Sequence, residues 1–280
     1  MRSLFSHQLV EARHEMLSIF EAIDLSLHDA VQAFVLDNPS LGKKAQRSME
    51  HIDARSANLE AVCYNLIATQ SPVASDFRLL QMIIYVNFNL QRMSDKVRRI
   101  ARAARHKAAR DIELPSELVD LIRREAACVY RVLGASAATL VDNDLGSLNE
   151  LAELDESVHE NYERFFRTLN RMRAEETVDD SALDDFRRVI MVSRYLDRLA
   201  AISIDAALRV SFLLTGQRLS PDDLAEVDDD ELERMRLPSG EGVTLDPARD
   251  AHYVAALAAD EVGEGLARLL ADASDGDAVD

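Results

Sequence analysis

The chain has 280 residues, 48% of them hydrophobic and 29% charged, which is enough apolar material for one large domain or two smaller helical ones. Its formal net charge of −18 lies mostly from Gln217 onward, and without an excess of Lys and Arg a nucleic-acid-binding face is disfavoured. No apolar run approaches the roughly 18–20 residues of a membrane span, and no cleavable apolar leader follows Met1, so we expect a soluble, cytoplasmic protein.

Three prolines mark the starts of predicted helices. Pro39, Pro72 and Pro115 each stand beside a residue that caps helices well, and each opens a long segment of periodic apolar residues. Proline fits the first turn of a helix, where its missing N–H would have no partner in any case. With polar patches at 143–146 and 175–181, the prolines divide the chain into six predicted helices, at 3–37, 39–69, 72–107, 115–142, 146–174 and 181–214.

The spacing of apolar residues within these segments predicts helix throughout. In the first segment, apolar residues recur every three or four positions, namely at Met16, Phe20, Ile23, Leu27, Val31 and Phe34. The third segment follows a similar spacing from Leu80 to Val97, and no alternating run bounded by turn residues predicts a strand. Segments this long are typical of helical bundles, so we predict an all-α fold.

An internal repeat relates the two halves of the chain. At an offset of 106 residues, Phe88–Met93 aligns with Arg194–Leu199, and the first two helices of each half align at the same offset. No gap is needed across three predicted helices and their two connections. We therefore predict two tandem three-helix bundles, with domains at 1–110 and 111–216 and an acidic extension at 217–280.

The extension that begins at Gln217 differs in composition from the rest of the chain. It holds half of the six prolines and most of the nine glycines, together with the acidic run Asp228–Glu231. Low apolar density combined with like charges predicts disorder over most of this extension. Apolar residues at nearly helical spacing leave open a short helix at 252–271. A docking segment for a partner is the alternative to a solvated extension.

Three stretches of the sequence resemble the PhoU family. Gln70-Ser71-Pro72-Val73-Ala74, with Ile67-Ala68 before it and Asp76-Phe77-Arg78 after it, is similar to the turn between that family's second and third helices. Asn89–Asp95 in the first half and Ser193–Leu199 in the second are similar to the family's Leu-x-Arg helices. The resemblance covers residues 1–216 and leaves the acidic extension outside it.

The resemblance implies two three-helix bundles side by side in a cytosolic protein without catalytic activity. It implies that the protein contacts the ATPase of a phosphate ABC transporter and a phosphate-sensing histidine kinase, and that it restrains signalling when phosphate is plentiful. It also implies a homodimer that reaches the membrane only through its partners. Arg92 and Arg198, at equivalent places in the two halves, either pair with carboxylates or belong to an interaction face.

The same resemblance implies rows of metal ligands, which are eroded in this chain. Family members carry metal on Glu-x-x-x-Asp-x-x-x-Asn patterns, whose oxygen ligands share one face of a helix. The corresponding residues are Gln91, Asp95 and Arg99 in the first half, and Asp197, Ala201 and Asp205 in the second. Arg99 places a permanent cation one turn from Asp95, and Ala201 removes the middle ligand. We therefore expect no bound cofactor, with a divalent or iron-type metal at Asp95, Asp197 or Asp205 as the alternative.

Two other functions stay open on the sequence alone. Glu11/His14 and Glu156/His159 have the Glu-x-x-His spacing of di-iron carboxylate bundles, although the two pairs are not equivalent in the repeat. A metal-binding helical bundle is therefore one alternative, and a helical adaptor for another transporter is the other. Cys63 and Cys128 lie among apolar neighbours without a metal or redox partner nearby, which predicts buried thiols in a reducing compartment.

Overall fold

Seven α-helices make up the described part of the computed structural model, which covers residues 2–143, 147–175 and 180–220 together with residues 223, 234, 235 and 237. That part contains no strand, so the prediction of an all-α fold is confirmed. The helices are α1 (Arg2–Val35), α2 (Pro39–Gln70), α3 (Ala74–Ala109), α4 (Ser116–Asp142), α5 (Ser147–Ala174), α6 (Asp180–Ala207) and α7 (Arg209–Thr215). Among them, none combines the length and the apolar character needed to cross a bilayer. Most of the extension at 217–280 that is predicted to be disordered, including the predicted helix at 252–271, lies outside the described residues.

The start of α2 follows the predicted capping pattern. The side-chain Oδ1 of Asn38 accepts hydrogen bonds from the backbone N–H groups of Ser40, at 3.1 Å, and Leu41, at 3.4 Å. Pro39 occupies the first helical position, where no N–H is required. Just before it, Asp37 has a φ of 53°, so the chain leaves α1 through a left-handed residue and enters α2 within a short turn.

The other two prolines lie before their helices, so the prediction that they open the first turn is wrong. α3 begins at Ala74, after Pro72, and α4 begins at Ser116, just after Pro115. Val73 has an extended ψ of 169° and Pro115 has a ψ of 132°, so neither residue has helical geometry. Ser71, with a φ of 45°, ends α2 in the left-handed region and lets the chain turn toward α3.

The last predicted helix, 181–214, is two helices in the structure. α6 ends at Ala207 and α7 begins at Arg209, with Leu208 between them. The backbone N–H of Leu208 still bonds to the carbonyl of Ile204 at 2.9 Å, whereas that of Ser211 bonds to the carbonyl of Leu208 at 3.2 Å. The break is therefore a local tightening of the backbone, after which α7 packs against α3.

The helices form two bundles, as the sequence repeat predicts. α1, α2 and α3 pack against one another, and α4, α5 and α6 do the same. Buried residues related by the repeat occupy both cores, namely Leu27, Ile52 and Leu90 in the first bundle and Leu133, Val158 and Leu196 in the second. The predicted domain boundary between residues 110 and 111 falls in the connection between α3 and α4, and its position stays a prediction.

A buried arginine joins the bundles where α1 packs on α4. Arg13 of α1 donates hydrogen bonds from Nη2 to the backbone carbonyls of Leu140, at 3.0 Å, and Val141, at 2.7 Å. These carbonyls belong to the last turn of α4, which has no following turn to bond to and carries the negative end of the helix dipole. The guanidinium therefore satisfies a helix terminus of the second bundle from within the first.

Ionisable side chains are also buried farther along the contact between α1 and α4. The rings of His28 and Tyr130 stack with 3.6 Å between their centroids, and Asp24, one helical turn before His28, is 5% exposed. Burial, together with the neighbouring charge of Glu21, raises the pKa of Asp24 to about 7. Burial lowers the pKa of His28 to about 4, with the charge of Asp29 acting in the opposite direction. Both side chains are therefore neutral in the folded protein between these two values.

The two cysteines are thiols within the bundles. Cys63 is buried and Cys128 is half-buried, and both are free. Burial raises the pKa of Cys63 to about 12, with the charge of Glu60 acting in the same direction, so this thiol stays protonated. Cys128 accepts a hydrogen bond from Asn161 Nδ2 at 3.4 Å, which links α4 to α5.

Replacing Asp24 should change how the stability of the protein depends on pH. Because folding raises the pKa of Asp24 from 3.8 to about 7, this group's contribution to the free energy of unfolding is full below about pH 4 and is lost as the pH rises toward 7. Asp24→Asn stays neutral, so its free energy of unfolding should rise relative to that of the natural chain across this range, by about 4 kcal/mol in total. Urea unfolding of both proteins at pH 4 to 8 measures the difference. A difference that is constant with pH would contradict a neutral Asp24 in the fold.

Candidate interaction surface

The third helices of the two bundles, α3 and α6, pack side by side, and we call residues 88–99 and 194–205 of these helices the seam. The seam is antiparallel. Arg92 faces Asp205 across it, with 3.9 Å between Nη1 and Oδ2, while the guanidinium of Arg99 lies 5.9 Å from the ring centroid of Tyr195. Because the sequence repeat relates these two stretches to each other, their antiparallel packing places the signature residues of both halves on one surface.

Asp95 is held by two cations of its own helix. Its Oδ2 accepts a hydrogen bond from Arg99 Nε at 2.9 Å and another from Lys96 Nζ at 3.1 Å. Partial burial alone would raise the pKa of Asp95, but the hydrogen bonds and positive charges of Arg99 and Lys96 outweigh burial and lower that pKa below its ordinary value. Arg99 therefore supplies positive charge beside the position where the resemblance implies a metal ion.

The other two residues predicted as metal ligands have partners of their own. Asp197 Oδ1 lies 3.8 Å from Nδ1 of His159 on α5, and Asp205 lies opposite Arg92. Asp197 and Asp205 are eight residues apart on α6, which is about 12 Å along the helix axis. Within the described residues, no three His, Cys, Asp or Glu side chains are grouped so that they could hold a metal ion. The structure therefore places the three candidate ligands in separate contacts.

The two Glu-x-x-His pairs also belong to separate contacts. Glu11 Oε1 lies 3.1 Å from Nε2 of His7, one turn earlier on α1. His159 lies against Asp197 of α6 and stacks at 6.2 Å, centroid to centroid, on Tyr162 of its own helix. One pair thus takes part in contacts on α1 of the first bundle and the other in contacts on α5 and α6 of the second.

Two acids beside Asp197 were missed by the sequence analysis. Glu125 of α4 is fully buried, and burial raises its pKa well above the ordinary value, with Ser193 lowering it in part and the charge of Asp197 raising it further. Burial and the charge of Asp197 likewise raise the pKa of Asp155 on α5, with His159 acting in the opposite direction. The signal in the sequence was a glutamate within the apolar stripe of α4, where a core residue is expected.

An apolar groove of about 530 Å³ lies between α2 and α3 on the first bundle. We call it the aromatic groove, and its apolar walls are the side chains of Tyr64, Ile67, Phe77, Ile84, Tyr85 and Phe88. Tyr64 is 54% exposed and Phe88 is 58% exposed. Clustered apolar side chains with this much exposure mark interaction sites in soluble proteins. The first bundle therefore carries an apolar surface beside the seam, which Phe88 shares.

Sequence reasoning missed the aromatic groove because its residues follow the same spacing as the core. Phe77, Ile84 and Phe88 form a second row on α3, beside the row from Leu80 to Val97 that fills the bundle. Both rows have helical spacing, with steps of three, four or seven residues, so periodicity alone does not tell which row is buried. The signal in the sequence was the width of the apolar surface, since the first half of α3 is apolar over more than one face.

Tyr85 connects the aromatic groove with the segment that follows α7. Arg218 donates a hydrogen bond from Nη2 to the Tyr85 hydroxyl at 2.7 Å, and its guanidinium lies 4.8 Å from the ring centroid. The guanidinium of Arg209, the first residue of α7, lies 4.5 Å from the same centroid. Two cations on one aromatic ring hold this wall of the groove in place and position α7 and the segment after it beside the groove.

A second cavity, of about 600 Å³, lies where the turn between α1 and α2 meets the connection between α3 and α4. Its buried Lys107 pairs with Asp37 and lies 5.7 Å from the ring centroid of Phe34, while Arg123 Nη1 pairs with Asp120 at 2.7 Å. Because the two cations among its described lining residues already have carboxylate partners, this cavity is a weak candidate for binding an anion.

Comparison with known proteins finds a family model and relatives that are similar to this chain. Residues 16–104 match the family model described as the PhoU domain. The chain is 25% identical over 217 residues to a phosphate-specific transport system accessory protein PhoU homolog of Synechocystis, which covers 78% of this chain and 94% of that protein. It is 23% identical over 217 residues to the phosphate-specific transport system accessory protein PhoU homolog 1 of Methanothermobacter thermautotrophicus. That match covers 78% of this chain and 97% of that protein.

Solved structures share the fold. The crystal structure of PhoU from Pseudomonas aeruginosa superimposes with a TM-score of 0.67 at 20% identity and covers 76% of this chain and 100% of that one. The phosphate transport system regulatory protein PhoU from Streptococcus pneumoniae gives a TM-score of 0.63 at 17% identity, with 77% and 99% covered. Nearly the whole of each relative is matched, while about a fifth of this chain has no counterpart in them.

Proposed function

Because residues 16–104 match the PhoU domain and the described fold is that of solved PhoU structures, we propose that this chain is a member of the PhoU family, that it is an accessory protein of a phosphate transport system, and that it acts by binding other proteins. The partners in this proposal are the ATPase of the phosphate ABC transporter and a phosphate-sensing histidine kinase. The protein restrains phosphate-starvation signalling when phosphate is plentiful. It works in the cytoplasm as a homodimer and reaches the membrane through its partners.

The observation that carries this proposal is the seam. It gathers the signature residues of both halves, and several of its charged side chains are open to solvent, with Arg92 46% and Asp205 53% exposed. Arg194 and Arg198 are exposed as well. An exposed ion pair at 3.9 Å contributes little to stability, so its members are free to exchange partners. Exposed charges of this kind steer and select a protein partner.

We also propose that the protein acts without catalysis. Asp24 and Glu125, two acids whose pKa values burial raises strongly, are buried between helices rather than placed in an open cleft. An ionisable group buried between helices has no access to a substrate, so its shifted pKa reflects its packed surroundings rather than catalysis. A helical adaptor for another transporter is the competing function, and the experiment below separates it from the proposed one.

Reversing the charge of the seam should disable the protein without unfolding it. In the double variant Arg92→Glu and Arg198→Glu, the transporter ATPase should no longer be retained by the tagged protein in a pull-down, because like charges then face the partner's complementary surface. In cells, phosphate-starvation genes should be expressed in rich phosphate, as in a strain that lacks the gene. Arg164→Glu, at an exposed position of α5, is the matched control and should behave as the natural chain does.

Two results would contradict the proposal. Correct repression and normal phosphate uptake in the deletion strain would remove the regulatory role and favour the adaptor. Retention of the ATPase by the double variant at the level of the control would remove the seam as the contact surface. Circular dichroism of each variant establishes that the helices are intact before either result is interpreted.

We further propose that the seam needs no metal. Arg99 and Lys96 already bond the carboxylate of Asp95, and Ala201 has no ligand atom. Protein purified without chelator should contain far less than one iron, zinc or manganese per chain by elemental analysis. Gln91→Glu combined with Arg99→Asn restores the ligand types of the family pattern in the first half and should raise that content. Stoichiometric metal in the natural chain would contradict this proposal.

A further inference from the structure

We propose that the aromatic groove is the docking site for the chain's own segment 252–271, which binds there as an amphipathic helix. The groove is apolar and open, lies beside the last described residues of the chain, and has a length that matches the segment. An apolar groove between two helices commonly receives the apolar face of a third.

The last described residues of the chain lie close to the groove. The backbone N–H of Leu237 bonds to the carbonyl of Leu214 at 2.9 Å, so the last described residue lies beside α7. α7 packs on α3, and Arg78 of α3 donates a hydrogen bond from Nε to the carbonyl of Leu213 at 3.2 Å. Arg218 bonds Tyr85 in the wall of the groove. The chain therefore leaves the described body next to the groove.

The linker between the described body and the segment is long enough to span the groove. The fourteen residues 238–251 separate Leu237 from the segment and span at most about 45–50 Å when extended. α3 is 36 residues long, or about 54 Å, and the groove occupies only part of it. From a starting point beside α7, the segment can reach the whole groove. Because the two are joined in one chain, even a weak contact is favoured by a high effective concentration.

The segment has the pattern of an amphipathic helix. At helical spacing, Val254, Val262, Leu266 and Leu269 lie on one side, and the acids Asp260, Glu261 and Glu264 cluster on another, around Leu257. The apolar side runs about 24 Å along a helix from residue 254 to residue 270, and the α3 wall of the groove runs about 21 Å from residue 77 to residue 91. The two apolar surfaces have matching lengths.

The glycines of the segment fit the same proposal. Gly263 and Gly265 lower the helix stability of the isolated segment in water. A helix with two glycines forms when burial of its apolar side offsets this cost, as docking in the groove would provide.

The groove and the segment also carry opposite charges. Arginines stand at the rim of the groove: Arg92 lies 5.9 Å from the ring centroid of Phe88, and Arg209 and Arg218 lie against Tyr85. The acids of the segment can face these cations while the apolar side fills the groove. A docked segment would also lie next to Arg92 and limit a partner's access to the seam. That consequence rests on the proposed function, whereas the docking itself does not.

The absence of Trp from the natural chain provides a clean test. In the full-length chain with Phe88→Trp, the single indole reports on the groove. We expect the further substitutions Val262→Glu and Leu266→Glu to release the segment, shift the emission to longer wavelength and increase quenching by acrylamide. Ala256→Glu and Ala267→Glu add the same charge to the opposite side of the helix and should leave both measurements unchanged. Leu36→Trp, at an exposed position away from the groove, should not respond to either pair.

Equal emission and quenching for both pairs of substitutions would overturn the proposal. So would an emission that depends on protein concentration, because the groove would then be occupied by a second copy of the chain. Both fluorescence measurements use the purified chain without a transporter or kinase. A negative result therefore rules out the docking but not the proposed function, and a negative pull-down rules out the proposed contact but not the docking.

Discussion

The antiparallel packing of one three-helix bundle on the other determines which residues this protein presents to its surroundings. Three helix pairs carry that packing, α3 on α6, α1 on α4 and α7 on α3. If α3 shifted by one turn against α6, the equivalent stretches of the two halves would no longer lie in the same register on one surface. The seam is therefore a product of tertiary packing between repeats, and neither repeat has it alone.

Charged residues serve this packing differently according to their burial. Arg13 is buried and bonds the last carbonyls of α4, so its positive charge faces the negative end of a helix dipole. Asp24 is buried and His28 is half-buried, and burial raises the pKa of Asp24 and lowers that of His28, which favours the neutral form of each side chain. Arg92 and Asp205 remain about half exposed and pair loosely. The interface thus has a rigid interior and a polar margin that is able to meet another protein.

Much of the fold could be predicted because its signals are local. Asn38 and Pro39 cap α2 as their types suggest, and the apolar spacing of the long segments identifies the helices. The repeat predicts the two bundles because a duplicated pattern duplicates its core. Other features have no local signal. The break at Leu208 and the late start of α3 depend on how the chain turns between packed elements, and the Arg13 bond joins residues more than a hundred positions apart.

The candidate site was predicted less completely for the same reason. The eroded metal rows and the position of Arg99 could be read from the sequence, since they lie four residues apart on one helix. The aromatic groove could not, because Phe77 and Phe88 have the spacing of core residues and only the packing of α2 on α3 shows that they stay exposed. Likewise, Glu125 becomes a buried acid only once α4 and α6 are packed together.

In the proposed function, this protein acts through partner binding at the seam rather than through a reactive pocket. Site-specific photo-cross-linking tests this most directly, with a photoreactive amino acid in place of Arg198 on the seam or of Arg164 on α5. In the presence of the phosphate transporter, irradiation should link the Arg198-substituted protein to the transporter ATPase and should leave the Arg164-substituted protein unlinked. Linkage from position 164 but not from position 198 would contradict the account.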